Sequence, residues 1–252
     1  MTRLDQLLVS QGLARSRTRA QRLIRHGRVS RLADGKVLTR PGEKCPADLA
    51  LRVEEDPEER YVSRAGLKLE AVIETLGLSL HGLTTLDVGQ STGGFTDCAL
   101  RSNAAHVIGV EVGHDQLDAS LRSDPRVTCL EGLNARAMAR DPRLLGAIAD
   151  HGPIALAVMD VSFISQTLIL PEIAALLAPG TRLVSLVKPQ FELGPGGVDA
   201  RGLVIDPTRY AEVEARIRDA CSACGFIIEN WQDSPILGGD GNREFLLLAR
   251  RA

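Results

Sequence analysis

An α/β fold is predicted for most of this chain: a seven-stranded, mostly parallel sheet over residues 63–252, preceded by a small α+β module over residues 1–54. Three observations predict it. Short apolar runs alternate with helix-compatible segments, the pattern of a parallel sheet covered on both faces. The stretch TTLDVGQSTGGFTDC, from Thr84 to Cys98, reads as strand, glycine-rich turn and helix. Charge is also divided unevenly. Residues 1–52 hold 12 Lys/Arg against 4 Asp/Glu, a net +8, and the remaining residues hold 18 against 28, a net −10. A basic head on an acidic body suggests a polyanion-binding module joined to a second domain.

In the head, Leu4, Leu7 and Leu8 have helical spacing and Gly12 ends the run. Ser16 offers an N-cap hydroxyl for a second helix, whose apolar side is Ala20, Leu23 and Ile24 and which stops at Gly27. Arg19, Arg22 and His26 fall on another face of that helix, with Arg25 at its edge and Arg15 and Arg17 at its entrance. A row of guanidiniums on one face suits the phosphates of a nucleic acid. No acid between Asp5 and Asp34 dilutes it. Asp34-Gly35 signals a hairpin between Arg28–Leu32 and Lys36–Thr39, and Asp48–Val53 returns as a strand. The acidic, proline-containing residues 55–62 read as a linker.

In the body, Ser63 is expected to cap a helix carrying Leu69, Val72, Ile73 and Leu76 and ended by Gly77. Strands are expected at Thr84–Val88, His106–Val112, Val127–Glu131, Ile154–Asp160, Arg182–Lys188, Phe226–Trp231 and Phe245–Ala249. Helices are expected near Gly94–Ser102, Gln116–Ser123, Gln166–Leu177 and Pro207–Cys224. Asp87, Glu111, Asp160 and Lys188 each close a strand, where ligands of such sheets collect. Glycines at 89, 93 and 94 let the backbone approach a ligand, and Glu111 can accept ribose hydroxyls. Neither GxGxxG nor GK[ST] is present, so the loop is neither a dinucleotide fingerprint nor a P-loop. S-adenosylmethionine becomes the leading cofactor. Lys68 falls on the polar side of its helix, where a surface lysine is the simpler reading, and Glu244 can be an edge charge.

Composition excludes other classes. No run approaches the roughly 20 apolar residues of a membrane span, and no apolar signal-peptide core is read at the N-terminus. Five scattered cysteines fit a reducing, cytoplasmic setting. The lone Cys221-x-x-Cys224 reads as helix-end thiols or, less simply, as a metal or redox pair, and no metal-ligand cluster appears.

Several motifs add a family resemblance: Tyr61-Val-Ser-Arg-Ala-Gly-Leu-Lys68-Leu, Asp87-Val-Gly-Gln-Ser-Thr-Gly-Gly-Phe-Thr-Asp97-Cys, Asp124-Pro-Arg-Val127, Asp160-Val-Ser-Phe-Ile-Ser165, Leu186-Val-Lys-Pro-Gln-Phe-Glu192 and Gly241-Asn-Arg-Glu244-Phe. With the head, whose Arg3-Leu4-Asp5, Gly12–Arg17, Gly27-Arg28-Val29 and Asp34-Gly35 resemble an S4-like RNA-binding domain, the chain resembles the TlyA family of RNA ribose 2′-O-methyltransferases, often labelled hemolysins. The resemblance implies a Rossmann-like class I methyltransferase fold of FtsJ-like type. It implies a Lys-Asp-Lys-Glu tetrad at Lys68, Asp160, Lys188 and Glu244, with Lys188 the base. S-adenosylmethionine would lie on Asp87, Gly89, Ser91, Thr92, Gly93, Gly94 and Phe95, with Glu111 on the ribose and Asp160 beside the methyl group. Arg3, Arg15, Arg17, Arg19, Arg22, Arg25 and Arg28 would meet ribosomal RNA, and no metal would be needed. Gln90 departs from the small residue usual in this loop, and either crowds the cofactor or points to solvent. The implied enzyme is a cytoplasmic monomer acting on a ribosomal subunit, the large one favoured by the early chain end, without stable membrane association. The rival readings are a non-catalytic assembly factor, a lytic protein, and a base methyltransferase, which would want more aromatics than the 3% present.

Overall fold

Apolar side chains at strand and helix spacing build three core clusters, one in the first unit and two on the faces of the large sheet, in the computed structural model, which describes residues 1–14, 16–54, 60–194 and 196–252. Arg15 and linker residues 55–59 lie outside the described residues. The two units are Met1–Arg60 and Tyr61–Ala252.

The first unit runs β1 (Thr2–Arg3), α1 (Leu4–Ser10), α2 (Arg17–Arg25), β2 (Val29–Arg31), β3 (Lys44–Cys45) and β4 (Leu51–Val53). Leu4, Leu7 and Leu8 of α1 pack with Ala20, Leu23 and Ile24 of α2, and Val29 and Leu51 complete this core. Ser16 Oγ accepts from Arg19 N at 3.3 Å, so the expected N-cap forms. The hairpin at Asp34-Gly35 is slighter than expected. Its second arm contributes only the Ser30–Val37 bridge, while β2 pairs antiparallel with β4 and β1 pairs with β3. Burying Val29 and Leu51 together favours the β2–β4 partnership.

The second unit contains α3 (Ala65–Leu76), β5 (Thr84–Val88), α4 (Gly94–Arg101), β6 (His106–Val110), α5 (Ala119–Arg122), β7 (Val127–Leu130), α6 (Pro142–His151), β8 (Leu156–Met159) and α7 (Leu170–Leu176). It continues with β9 (Arg182–Val187), α8 (Pro189–Glu192), α9 (Tyr210–Ala223), β10 (Phe226–Asp233) and β11 (Phe245–Arg251). These strands form one sheet in the order β10-β11-β9-β8-β5-β6-β7. Strands β5 to β9 are parallel to one another, and β11 runs antiparallel between β9 and β10. Along β8 the side chains alternate between cores, with Ala157 and Met159 on one face and Leu156 and Val158 on the other. The chain moves outward from β5 to β7 and then returns to lay β8 on the other side of β5. The β5–β8 boundary is therefore a topological switch point, where a crevice opens beyond the strand ends.

Several local expectations change. Helix α3 begins beyond Ser63, with Arg64 at its N-cap and no side-chain cap bond. Helix α6 was not expected, although Asp141 caps it and Pro142 opens it. The Gln116–Ser123 segment contracts to α5, capped by Asp118, and the Gln166 and Pro207 segments each begin as a 3₁₀ turn before the α-helix.

The strand–turn–helix at β5 is shaped from inside. Asp87 is buried, and its Oδ2 accepts from Thr96 Oγ1 at 2.6 Å, while Gln90 Nε2 donates to the same hydroxyl at 2.9 Å. Gln90 therefore does not point to solvent. It is tucked over Gly109 of β6, whose missing side chain makes the room. Gly93 caps α4 with φ +93°, and a Cβ there would lie 2.4 Å from Leu121 Cδ1 and 2.8 Å from Leu117 Cδ1.

Two predictions follow from this packing. Gly93→Val combines a left-handed backbone with overpacking against Leu117 and Leu121. Urea unfolding is expected to show a loss of about 2–4 kcal/mol, and so a global effect rather than a selective block of a ligand. The second concerns Asp87, whose carboxyl is pushed up to about 7 by burial, against the Thr96 bond and with help from the Asp160 charge. An acid raised on folding contributes stability below its unfolded pKa, near 3.9, and that contribution is lost as pH rises through the folded value. Asp87→Asn, neutral throughout, is expected to shrink the parent's loss of unfolding free energy between pH 5 and pH 8 by on the order of 1 kcal/mol or more.

Candidate active site

The switch point holds a cleft of about 960 Å³, within the range of small-molecule sites. Gly89, Ser91, Glu111, Asp160 and Phe163 are among its lining residues, with Val112, Leu133 and Ile169 as apolar wall and Gln116 and Asn134 as polar groups. Glu111 leaves the end of β6. Its two carboxylate oxygens accept from Ser91 N and Gly113 N, each at 2.8 Å, which fixes its orientation. An oriented carboxylate beside apolar walls fits a nucleoside, with ribose hydroxyls on the acid and the base on the wall. At Gly89 the loop passes close to the residue that follows β8: a Cβ there would stand 2.5 Å from Asp160 O.

A smaller cavity of about 110 Å³ adjoins it and shares Gly89, Ser91, Asp160 and Ser162. Thr92, Gly94, Phe95 and Lys188 complete its wall with Ser63, Ala65 and Gln90. Of the residues expected to hold a cofactor, Gly89, Ser91, Thr92, Gly94, Phe95, Glu111 and Asp160 line one or both cavities. Asp87 and Gly93 line neither and act on the loop from within.

The four charged residues of the expected tetrad come together. Lys188 Nζ lies 2.5 Å from Asp160 Oδ1 and donates to Ser162 Oγ at 2.9 Å. Lys68 Nζ lies 2.5 Å from Glu244 Oε2, both side chains almost fully buried. The surface-lysine and edge-charge readings of these two residues are thereby corrected. Lys68 shares the buried face of α3 with Leu69 and Val72, and Glu244 opens β11 where Phe245 pairs with Val187, the residue before Lys188. An antiparallel strand starts at the edge where its parallel neighbour ends, which brings Glu244 to the site. Burial holds the Glu244 carboxyl above its usual range; the Lys68 and Lys188 charges pull it down and the Asp160 charge pushes it up. Glu244 thus feels the other three charges.

The loop after β8 adds residues that sequence patterns did not single out. Phe163 is 91% exposed at the mouth of the cleft, its backbone at φ +62°, with its ring 5.1 Å from that of Phe191. A bulky side chain in that conformation is a genuine outlier held by its surroundings. Ser162, the Lys188 partner, lies in the same quoted motif, but nothing in the sequence marks its hydroxyl.

In the first unit the candidate RNA-binding arginines differ in setting. Asp5 is fully buried and accepts from Arg3 at 3.0 Å through two nitrogens, from Arg17 at 3.3 Å and from Gln21 at 2.8 Å. The Arg3 bond foremost holds its carboxyl well below the usual carboxylate range. Arg3 and Arg17 are therefore anchored inward while about half exposed. Arg25 is exposed, Arg19 and Arg22 are half-buried on α2, and Arg28 is half-buried with a shielded Nε that meets no partner among the described residues.

Residues 61–251 match the FtsJ-like methyltransferase family, and residues 2–48 match the S4 domain. A relative from Bacillus subtilis, YqxC, is 45% identical over 245 residues, covering 97% of this chain and 84% of its own. The 16S/23S rRNA (cytidine-2′-O)-methyltransferase TlyA of Mycobacterium tuberculosis is 39% identical over 248 residues, covering 98% of this chain and 89% of its own. Among solved structures, a hemolysin-labelled protein from Streptococcus thermophilus superposes with a TM-score of 0.74 at 38% identity, covering 100% of this chain and 88% of its own. With a family match over most of its length, a Rossmann-like sheet, and an S4 domain at its N-terminus, this chain belongs to the FtsJ-like methyltransferase family.

Proposed function

We propose that this protein transfers a methyl group from S-adenosylmethionine to a ribose 2′-hydroxyl of ribosomal RNA. The observation that carries the reading is the paired Lys188 and Asp160 at the junction of a nucleoside-sized cleft with a smaller cavity. When bound, the cofactor supplies an electrophilic methyl group on a sulfonium sulfur. Glu111 would accept its ribose hydroxyls, and the loop of Gly89, Ser91, Thr92, Gly94 and Phe95 would close round its amino-acid end. Asp87 and Gly93 would keep that loop in shape.

A ribose hydroxyl is a weak nucleophile at neutral pH and needs a positioned base. As the neutral amine, Lys188 Nζ would take the 2′-hydroxyl proton, and the Asp160 carboxylate would stabilise the ammonium so formed. Ser162 Oγ fixes the direction of Nζ. Glu244, held by Lys68, would set the field around Nζ, and alignment of the acceptor with the methyl group would supply much of the acceleration. Phe163 offers an aromatic face on which a base of unpaired RNA can stack while its ribose faces Lys188. Arg19, Arg22 and Arg25 of α2, with Arg3, Arg17 and Arg28, supply the positive charge for phosphate contact. A lytic protein would have no use for a buried Lys68–Glu244 pair and a half-buried Lys188–Asp160 pair beside a cleft, and no helix among the described residues is long and apolar enough to cross a membrane.

The test uses isolated small and large ribosomal subunits and S-adenosylmethionine labelled in its methyl group. The expected product carries the label on ribose, so that the adjacent phosphodiester survives alkali, which cleaves only through a free 2′-hydroxyl. Label on a base, or no transfer to either subunit or to free ribosomal RNA, would overturn the assignment.

A further inference from the structure

A carboxylate outside the tetrad, Glu192 at the end of α8, four residues past Lys188, also engages the loop after β8. Its side chain is buried. Oε2 accepts from Ser165 Oγ at 2.5 Å and Oε1 accepts from Gln166 N at 2.8 Å. Gln166 is also buried, and its side chain donates to Leu186 O at 2.6 Å and accepts from Ser185 Oγ at 2.6 Å. The Arg216 guanidinium in turn donates to the Glu192 carbonyl at 2.8 Å, fixing α8 itself.

These bonds close a frame. The loop from Asp160 to Ser165 is pinned at its start by Lys188, through Asp160 and Ser162, and at its end by Glu192 and the strand that leads to Lys188. Between the pins sits Phe163, in a left-handed conformation that a bulky residue does not adopt unaided. Two donors, one hydroxyl and one backbone N–H, meet two oxygens of one group, an arrangement suited to a carboxylate, whose two oxygens can each accept, although burial pushes this one above its usual range.

We propose that Glu192 is a positioning residue for methyl transfer: it clamps the far end of the Asp160–Ser165 loop, and so holds Ser162 on Lys188 and Phe163 at the mouth of the cleft. It touches neither ligand and acts through Ser165 and Gln166. The catalytic half of the proposal rests on the methyltransferase reading above; the clamping half does not.

Glu192→Gln keeps the size but offers one carbonyl oxygen to two donors. Hydrogen exchange of the full-length protein is expected to show the amides of residues 161–168 exchanging about tenfold faster or more, with the sheet strands unchanged. Single-turnover methyl transfer with saturating cofactor and RNA is expected to fall about 10- to 100-fold, because small misplacements of reacting groups carry costs of that order. Cofactor affinity is expected to stay within about threefold, giving a loss in rate without a loss in binding. Ser165→Ala, which leaves the Gln166 bond intact, is expected to lose less, and the double variant to be no slower than Glu192→Gln, since both act on one contact. Unchanged loop exchange in Glu192→Gln would overturn the clamp. A rate within about threefold of the parent, or a loss of rate matched by global destabilisation or a proportionate loss of cofactor affinity, would overturn the positioning role. Should the parent transfer no methyl group at all, the functional reading fails, and loop exchange alone decides whether Glu192 clamps.

Discussion

Lys68 and Glu244 stand 176 residues apart in sequence, yet they are the pair on which the site depends. Neither charge could be buried alone. Removing one partner of such a pair typically costs about 3–5 kcal/mol, because the other is left uncompensated. Their meeting requires α3 to lie against β9 and β11, and it requires β11 to enter the sheet antiparallel, next to the strand that ends at Lys188. The turn before β11 is fixed to suit. Asn242 is buried, donates to Gly202 O at 2.8 Å and accepts from Val204 N at 3.0 Å, while Arg243 is gripped by Asp233. A charged centre assembled this way is held by the fold itself, the condition under which electrostatic groups are most effective in catalysis.

The second constraint is topological. The order β9-β8-β5-β6 places the ends of β5, β6, β8 and β9 side by side, so one crevice gathers the Gly89 turn, Glu111, Asp160 and Lys188. Asp160 and Ser162 border both cavities, which couples the place suited to a nucleoside with the place where Lys188 reaches. The buried network of Asp87, Thr96 and Gln90 supports that turn from below, as Glu192 and Gln166 support the loop after β8.

Features written in local pattern were readable from the sequence. Apolar runs alternating with helical segments yielded all seven strands of the large sheet, and acids and a lysine at the strand ends pointed to Glu111, Asp160 and Lys188. Features set by distant partners were not. Lys68 looks like a surface residue on its own helix, because the acid that justifies its burial lies at the other end of the chain. Gln90 could be placed only by knowing that Gly109 of the neighbouring strand leaves room above it. The positive φ of Phe163 has no sequence signature, since it is imposed by bonds on either side of the residue. In the first unit, nothing in local pattern marks Asp5 as the group on which the guanidiniums of Arg3 and Arg17 gather.

Lys188 is the residue proposed to turn these constraints into chemistry, and its replacement tests the central claim most directly. Single-turnover methyl transfer by Lys188→Ala is to be measured with saturating S-adenosylmethionine and ribosomal subunits, alongside the cofactor affinity and thermal unfolding of the same preparation. If Lys188 is the base, the rate falls by about 10²–10⁴-fold while cofactor affinity is nearly unchanged. A folded variant transferring within about threefold of the parent rate would contradict it, because even a modest general base contributes more than that.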